Sequence, residues 1–224
     1  MSLESRKTAV LEDPGAVMLD RLKSLWTRFG RLSLGVIGAI AVVGVGFYFT
    51  AQANDRRENE ASAKLAEANQ LFWQGDYDRS LTTSEEVAKQ FGGTPSGTDA
   101  LRIAGDNAYW KGEWKAAITH FRAYLGKHAT GLVADAVRRS LAYSYESDGQ
   151  PAEAVKLYDQ LVGRFERESS AEFLFASARC YRALGKDSEA LARGKRIVSE
   201  FGETSYSMPA RVLVAELTPA PVIR

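Results

Sequence analysis

The sequence predicts an all-α protein: a solenoid of about four stacked helix-turn-helix units and a C-terminal capping helix, carried on one N-terminal transmembrane helix. Three observations point to it. Gly75, Gly112, Gly149 and Gly185 recur at intervals of 37, 37 and 36 residues, each between two helical stretches. A period of that size marks a repeat array, whose units stack because none can bury its apolar face alone. Small and aromatic residues recur in register beside each glycine, and Leu32–Thr50 is an uncharged run of 19 residues.

Taken from the N-terminus, residues 1–13 read as a disordered cytoplasmic tail. Residues 14–31 read as an amphipathic interfacial helix: Met18, Leu19, Leu22, Leu25, Trp26 and Phe29 fall at helical spacing, with Arg21, Lys23 and Arg28 mostly on the other side. Such a helix lies along a lipid surface, or docks onto a partner's cytoplasmic loops. Residues 32–51 follow as the membrane span. Nineteen residues at ~1.5 Å each give about 28 Å, enough for a hydrocarbon core of roughly 30 Å. Arg28 and Arg31 flank one end and the interface-favouring Phe47, Tyr48 and Phe49 the other; Arg21, Lys23, Arg28 and Arg31 before the span against Arg56, Arg57 and Lys64 after it give a bias that favours the N-terminus in the cytoplasm. Ala51-Gln52-Ala53 has the small-x-small form of a signal-peptide cleavage site, but about 31 residues before the apolar run is long for a leader. A retained single-pass anchor is the expectation. Gly35 and Ala39 form a small-xxx-small pair through which spans approach closely, although both residues are common in spans generally.

Residues 52–218 read as the repeat domain, expected in the periplasm. In the second unit the first helix is expected from about Thr98 to Lys111, the turn at Gly112-Glu113, and the second helix from Trp114. Gly105 of the first helix and Ala117 of the second are the small residues at the close crossing. Tyr109 and Phe121 fill the space to the next unit. The third unit repeats this with Ala142, Tyr145, Ala154 and Tyr158, and the fourth with Ala178, Tyr181 and Ala190. The first, Ala68, Leu71, Tyr77 and Ser80, has Ser84 where an aromatic is usual, and the fourth has Gly194 there. The aromatic residues of these positions read as inter-repeat core. Gly92 to Gly97 reads as a long inter-repeat loop. Met208–Leu217 reads as the capping helix, ended by Pro219 and Pro221, with 219–224 a tail.

These residues resemble the tetratricopeptide repeat over roughly residues 60 to 204, in the elongated form found in bacterial envelope proteins. The resemblance implies a non-enzymatic surface for other proteins. The whole architecture of tail, amphipathic helix, single span and periplasmic repeats is similar to the ancillary subunit family of the Sec translocon. That likeness implies periplasmic chaperones and newly translocated proteins as partners. A permanent accessory subunit of a large inner-membrane complex, respiratory or photosynthetic, is the alternative.

In tetratricopeptide arrays the first helix of each unit lines the concave face. The repeat register places Asn69 and Trp73 there from the first unit, and Arg102, Asp106, Tyr109 and Trp110 from the second. Arg139, Tyr143 and Glu146 come from the third and Arg179 and Arg182 from the fourth. Guanidinium groups pair with carboxylates in a fixed fork and stack on rings, so this row suits a peptide or an acidic protein surface. The same charges could equally be a solvated face. The family's carboxylate clamp needs a lysine and asparagine pattern this chain lacks: Asp106 stands where asparagine is expected.

The formal charge of +1 gives no reason to expect nucleic acid. Cys180, the single cysteine, excludes an internal disulfide and reads as a small core residue. Two histidines eight apart, His120 and His128, make no metal site, and no phosphate loop, nucleophile elbow or haem-attachment motif is present. The expectation is therefore no catalysis, no cofactor and no small-molecule substrate; the partners expected are membrane-complex subunits, periplasmic proteins or peptides, and the bilayer.

Overall fold

The computed structural model describes residues 14–218, the side chains of 14 and 31–33 excepted. The tails expected at 1–13 and 219–224 lie outside the described residues. Nine α-helices and no strand are found among the described residues. They are α1 (Pro14–Trp73), α2 (Tyr77–Gln90), α3 (Pro95–Trp110), α4 (Trp114–Lys127), α5 (Leu132–Ser147), α6 (Pro151–Leu161), α7 (Arg167–Ala183), α8 (Asp187–Glu200) and α9 (Ser207–Leu217). The chain divides into two units, residues 1–55 and 56–224.

Within the first unit, α1 carries the two N-terminal patterns without a break: the segments expected as interfacial helix and span form one continuous helix. No proline interrupts it after Pro14. The side chains of Met18, Leu19, Leu22, Leu25, Trp26 and Phe29 are all exposed, as are those of the apolar run from Leu34 to Phe49. The helical segment from Leu34 is long and apolar enough to cross a membrane, with a mean hydropathy of 2.1 in its most apolar window. Gly35 and Ala39 lie in this run, and a Cβ on Gly35 would meet nothing within 4 Å.

The second unit is an all-α solenoid. The C-terminal part of α1 pairs with α2, then α3 with α4, α5 with α6, and α7 with α8, and α9 closes the array. Each buried cluster draws on three successive helices. Ala61 and Leu65 of α1 meet Val87 and Phe91 of α2 and Ala100 and Ile103 of α3. Ala108, Phe121 and Leu141 do the same for α3, α4 and α5. Ala142, Tyr158 and Phe173 do it for α5, α6 and α7, with Cys180 buried among them as a core residue. Ala178, Ala190 and Leu213 join α7, α8 and α9.

The four periodic glycines each end a first helix. Gly75, Gly112, Gly149 and Gly185 have φ of 79, 78, 72 and 69°, the left-handed region where a Cβ is penalised. In each turn the amide of the residue after the glycine returns to a carbonyl five residues back, as Glu113 N does to Ala108 O at 2.8 Å and Lys186 N to Tyr181 O at 2.9 Å. This is the Schellman closure that satisfies the last carbonyls of a helix.

Three expectations are corrected. Helix α3 begins at Pro95, earlier than Thr98, and the loop before it is correspondingly shorter. Thr94 caps the helix by accepting from Gly97 N at 3.0 Å, and proline, with its fixed φ and no N–H, suits the first helical position. The nearest neighbour of Gly105 is Phe121, where Ala117 was expected: the three atoms nearest to a Cβ there all belong to that ring. Finally, Trp73 and Trp110 are 83% and 61% exposed and are not inter-repeat core.

The two unusual units show how the aromatic position can be replaced. Gly194 makes room for α9, whose Val214 and Leu213 side chains would stand 3.0 and 3.3 Å from an added Cβ. In the first unit Ser80 donates to Ala68 O at 2.7 Å and Ser84 to Ser80 O at 2.7 Å, while Asn107 of α3 donates to Ser80 Oγ at 2.8 Å. A thread of buried hydrogen bonds thus occupies the place that Phe121 and Tyr158 fill with rings. One acceptor in it, Asn107 Oδ1, has no partner among the described residues.

Candidate protein-interaction surface

The first helices present a row of polar and aromatic groups, and most of its charges are already engaged. Asn69 Nδ2 donates to Leu65 O at 3.1 Å. Arg102 makes a two-pronged contact with Asp99, at 2.8 and 2.9 Å, and reaches Asp106 at 3.2 Å. Two carboxylates share one guanidinium. Burial raises the Asp106 pKa to about 6, against the opposing pull of Arg102, and the charge of Asp99 adds to the rise. Burial also works against the Arg102 charge, but the Asp99 hydrogen bond and the carboxylate charges outweigh it, so its pKa is raised. Arg102 is therefore held chiefly by Asp99, and Asp106 is the poorly compensated member.

Glu146 is a junction between the third and fourth units. It accepts from Tyr158 Oη at 2.6 Å and from Arg179 at 3.0 Å. Tyr143 donates to Glu172 at 2.5 Å. Burial first, and then these carboxylate acceptors, push both phenols well above their ordinary range. Arg179 also lies 5.6 Å from the ring centre of Phe175, and Arg182 pairs with Glu216 of α9 at 2.9 Å.

Arg139 differs. Its guanidinium lies 5.7 Å from the Phe165 ring centre and makes no ion pair among the described residues. Its charge is a minor influence on Asp106 and Tyr143, opposing the rise that burial causes in each, and adds slightly to the lowering of Glu166 that the Ser169 hydrogen bond causes. A half-buried cation over one ring, with no carboxylate paired to it among the described residues, is a group with bonding capacity left for a ligand.

Trp73, Tyr109 and Trp110 belong to a different feature, at the edge formed by the Gly75 and Gly112 turns. Six rings touch in sequence. Trp73 meets Phe72 at 5.4 Å between centroids, and Phe72 meets Tyr77 at 5.5 Å. Tyr77 stacks on Trp110 at 6.3 Å with 12° between planes. Trp110 meets Tyr109 at 6.2 Å and Tyr109 meets Trp114 at 5.1 Å. The sequence reading missed Phe72, Tyr77 and Trp114 as half-buried members of this edge. The signal was available: Trp73 and Tyr77 stand across one glycine turn as Trp110 and Trp114 stand across the next.

Solved structures of the same fold support the architecture. A repeat protein from Parabacteroides merdae superposes with a TM-score of 0.60 at 14% identity, over 71% of this chain and 60% of that one. Kinesin light chain TPR-like repeats from Podosopora anserina give 0.58 at 19% identity, over 71% and 86%. YrrB, a TPR protein with an unusual peptide-binding site, gives 0.54 at 16% identity, over 76% and 93%. No curated protein matches the chain. The tetratricopeptide repeat model matches residues 65–131 and 139–204, more than half of the sequence. Those two matched stretches take in the four glycine turns and the helices on either side of them, and the chain belongs to the tetratricopeptide repeat family.

Proposed function

We propose that this protein is a non-enzymatic scaffold, anchored in a bacterial inner membrane by the apolar part of α1, that holds a protein partner on the first-helix row of its periplasmic repeats. Proteins built on this repeat act in protein–protein interaction, and a related fold carries a peptide-binding site. The observation that carries the proposal is Arg139, a half-buried guanidinium over the Phe165 ring that makes no ion pair among the described residues. It fits a carboxylate of the partner, a chain terminus or an acidic side chain. Arg102, Arg179 and Arg182 hold the row in shape through their own carboxylates and contribute less to capture.

Arg139→Ala tests this. A charge-assisted hydrogen bond contributes about 1.5–3 kcal/mol, roughly a tenfold to hundredfold loss in capture of cross-linked envelope partners. The exposed Arg122→Ala on α4 should leave capture intact. Equal capture by Arg139→Ala would remove the row as the binding surface.

The uncharged run and the basic residues before it support an N-in, C-out topology. Protease added to spheroplasts should digest the repeats and spare the first 30 or so residues; protected repeats would overturn it. Association with the Sec translocon and periplasmic chaperones predicts salt-sensitive, substoichiometric capture of several clients. Co-purification at fixed stoichiometry in detergent would favour the permanent accessory subunit instead, with Gly35 and Ala39 against a neighbouring span.

A further inference from the structure

We infer that the groove between α8 and α9, separate from the Arg139 row, is the seat of an acidic amphipathic α-helix that a partner protein supplies to complete a fifth repeat unit. Helix α9 enters the array as α3 does. Phe91 and Thr94 before α3 recur 110 residues on, three units later, as Phe201 and Thr204. In both places the threonine hydroxyl donates to the phenylalanine carbonyl, at 2.9 and 2.7 Å. In both, a glutamate of the preceding first helix accepts from a serine amide at 3.2 Å: Glu58 from Ser96, and Glu168 from Ser205. The same interval carries Ala100 and Ile103, buried against α2, onto Ala210 and Leu213, buried against α8. By entry and by register, α9 is the first helix of a fifth unit.

Its second helix is what the described residues do not supply. Gly105, Ala142 and Ala178 hold one position in α3, α5 and α7, and each is buried under the second helix of its own unit. The next residue in that series is Ala215, and it is exposed. With Val214 of α9 and Val198 of α8 it forms the apolar floor of a groove of about 280 Å³, lined also by Lys195 and Arg211. The sequence that follows lacks the turn signal of the other units: Val222 stands at the place of the glycine, after Pro219 and Pro221.

The array itself shows what covers such a seat: an amphipathic helix, as α4, α6 and α8 cover α3, α5 and α7. Charge then selects the kind of helix. Neighbouring second helices are stitched from a carboxylate on the earlier one to a base on the later one. Glu85 of α2 meets His120 of α4 at 3.0 Å, and Asp159 of α6 meets Arg193 of α8 at 2.6 Å. Between α4 and α6, Arg122 and Leu157 hold these two places without pairing. In α8 the place of Glu85 and Asp159 is taken by Lys195. It is exposed, and neither it nor the exposed Arg211 makes an ion pair among the described residues. The stitch is therefore reversed at this end of the array. An incoming helix meets it with a carboxylate where α4 has His120 and α8 has Arg193. Two unpaired cations beside an apolar floor are the complement of an acidic amphipathic helix laid into a groove.

The test uses the full chain in detergent micelles, titrated with a hydrocarbon-stapled peptide of the α6 sequence Pro151–Leu161 carrying Leu157→Glu. Helix α6 is the template because it covers an alanine, Ala142, at the position of Ala215. The same peptide with Leu157→Lys is titrated in parallel, and both are followed by fluorescence anisotropy. The glutamate peptide should bind saturably, and the lysine peptide roughly tenfold more weakly. Lys195→Glu should reverse that preference. Ala215→Tyr, at an exposed position, should abolish binding with an unchanged melting temperature. Arg139→Ala should bind the glutamate peptide as the parent does, which separates the seat from the row proposed above. No saturable binding of the glutamate peptide, equal binding of the two peptides by the parent, or binding that survives Ala215→Tyr would each overturn the inference. Concentration-dependent self-association abolished by Ala215→Tyr would do so as well, by assigning the seat to a second copy of the chain. So would tighter peptide binding after removal of residues 219–224, by assigning the seat to those residues.

Discussion

The ring of Phe121 occupies the space a Cβ on Gly105 would need: its Cε1, Cδ1 and Cζ atoms are 2.5, 2.6 and 2.9 Å from that position. Phe121 is fully buried among α3, α4 and α5, so it has nowhere to retreat.

Gly105→Ala should therefore destabilise the array, although alanine in a helix interior is ordinarily better than glycine by about 1 kcal/mol. Overpacking of this kind costs about 1–3 kcal/mol, and Gly105→Leu should cost more. Combining Gly105→Ala with Phe121→Leu should recover part of the loss, read as a positive coupling in a double-mutant cycle of urea unfolding. Additive losses would show that the ring is not the obstacle.

The equivalent crowding at Gly194 has the opposite outcome. An added Cβ there is crowded by the tips of Val214 and Leu213, at 3.0 and 3.3 Å, while the Ala210 carbonyl at 3.6 Å is in ordinary contact, and such tips can rotate. Gly194→Ala should be neutral or stabilising by up to about 1 kcal/mol. Gly194→Phe, which restores the aromatic of the other units, should displace α9 and open residues 207–217 to limited proteolysis. A protected α9 in that variant would mean that the helix does not stand in the aromatic position.

Asp106 gives the fold a pH dependence with a defined sign. Its pKa of about 6 lies above the ordinary 3.8, so the folded state keeps the proton that the unfolded chain has lost. The stabilisation is complete below about pH 4 and is lost as pH rises through about 6. Above that, a poorly compensated carboxylate is carried at a cost. Asp106→Asn preserves an acceptor for Arg102 and should gain little near pH 4 but about 3 kcal/mol near pH 7. Unfolding midpoints of parent and variant across that range check it; a gain independent of pH would place the cost elsewhere.

The architecture was legible because its determinants are local and periodic. A glycine needed at φ near 75° in every turn cannot be hidden by other residues, and α4 and α9 begin within a residue of where Trp114 and Met208 place them. The start of α3 was misplaced because two glycines before Thr94-Pro95 gave the segment a loop-like composition, although threonine before proline is a capping signal. The engagement of the surface was not legible. Arg102 and Asp99 are three apart on one helix and could be paired by eye, but Arg179 meets Glu146 and Arg182 meets Glu216 across 33 and 34 residues. Those partners are set by how adjacent units superpose, which periodicity gives only to within a turn. The exposure of Trp73 and Trp110 was hidden for a related reason: each is the last residue of its first helix, where a single step in register turns a core position outward.

The confinement of the ring ladder to the first two turns makes the array a vector. A solenoid of near-identical units is nearly symmetric under a shift by one unit, so a partner could slide along it from one register to the next. Here the edge reads Phe-Trp-Tyr and Tyr-Trp-Trp at its first two steps, then Glu-Ser-Pro and Arg-Ala-Asp at its last two. No translation by one unit maps that edge onto itself. Anything that engages both ends of the edge lies along the repeats in one register and one sense.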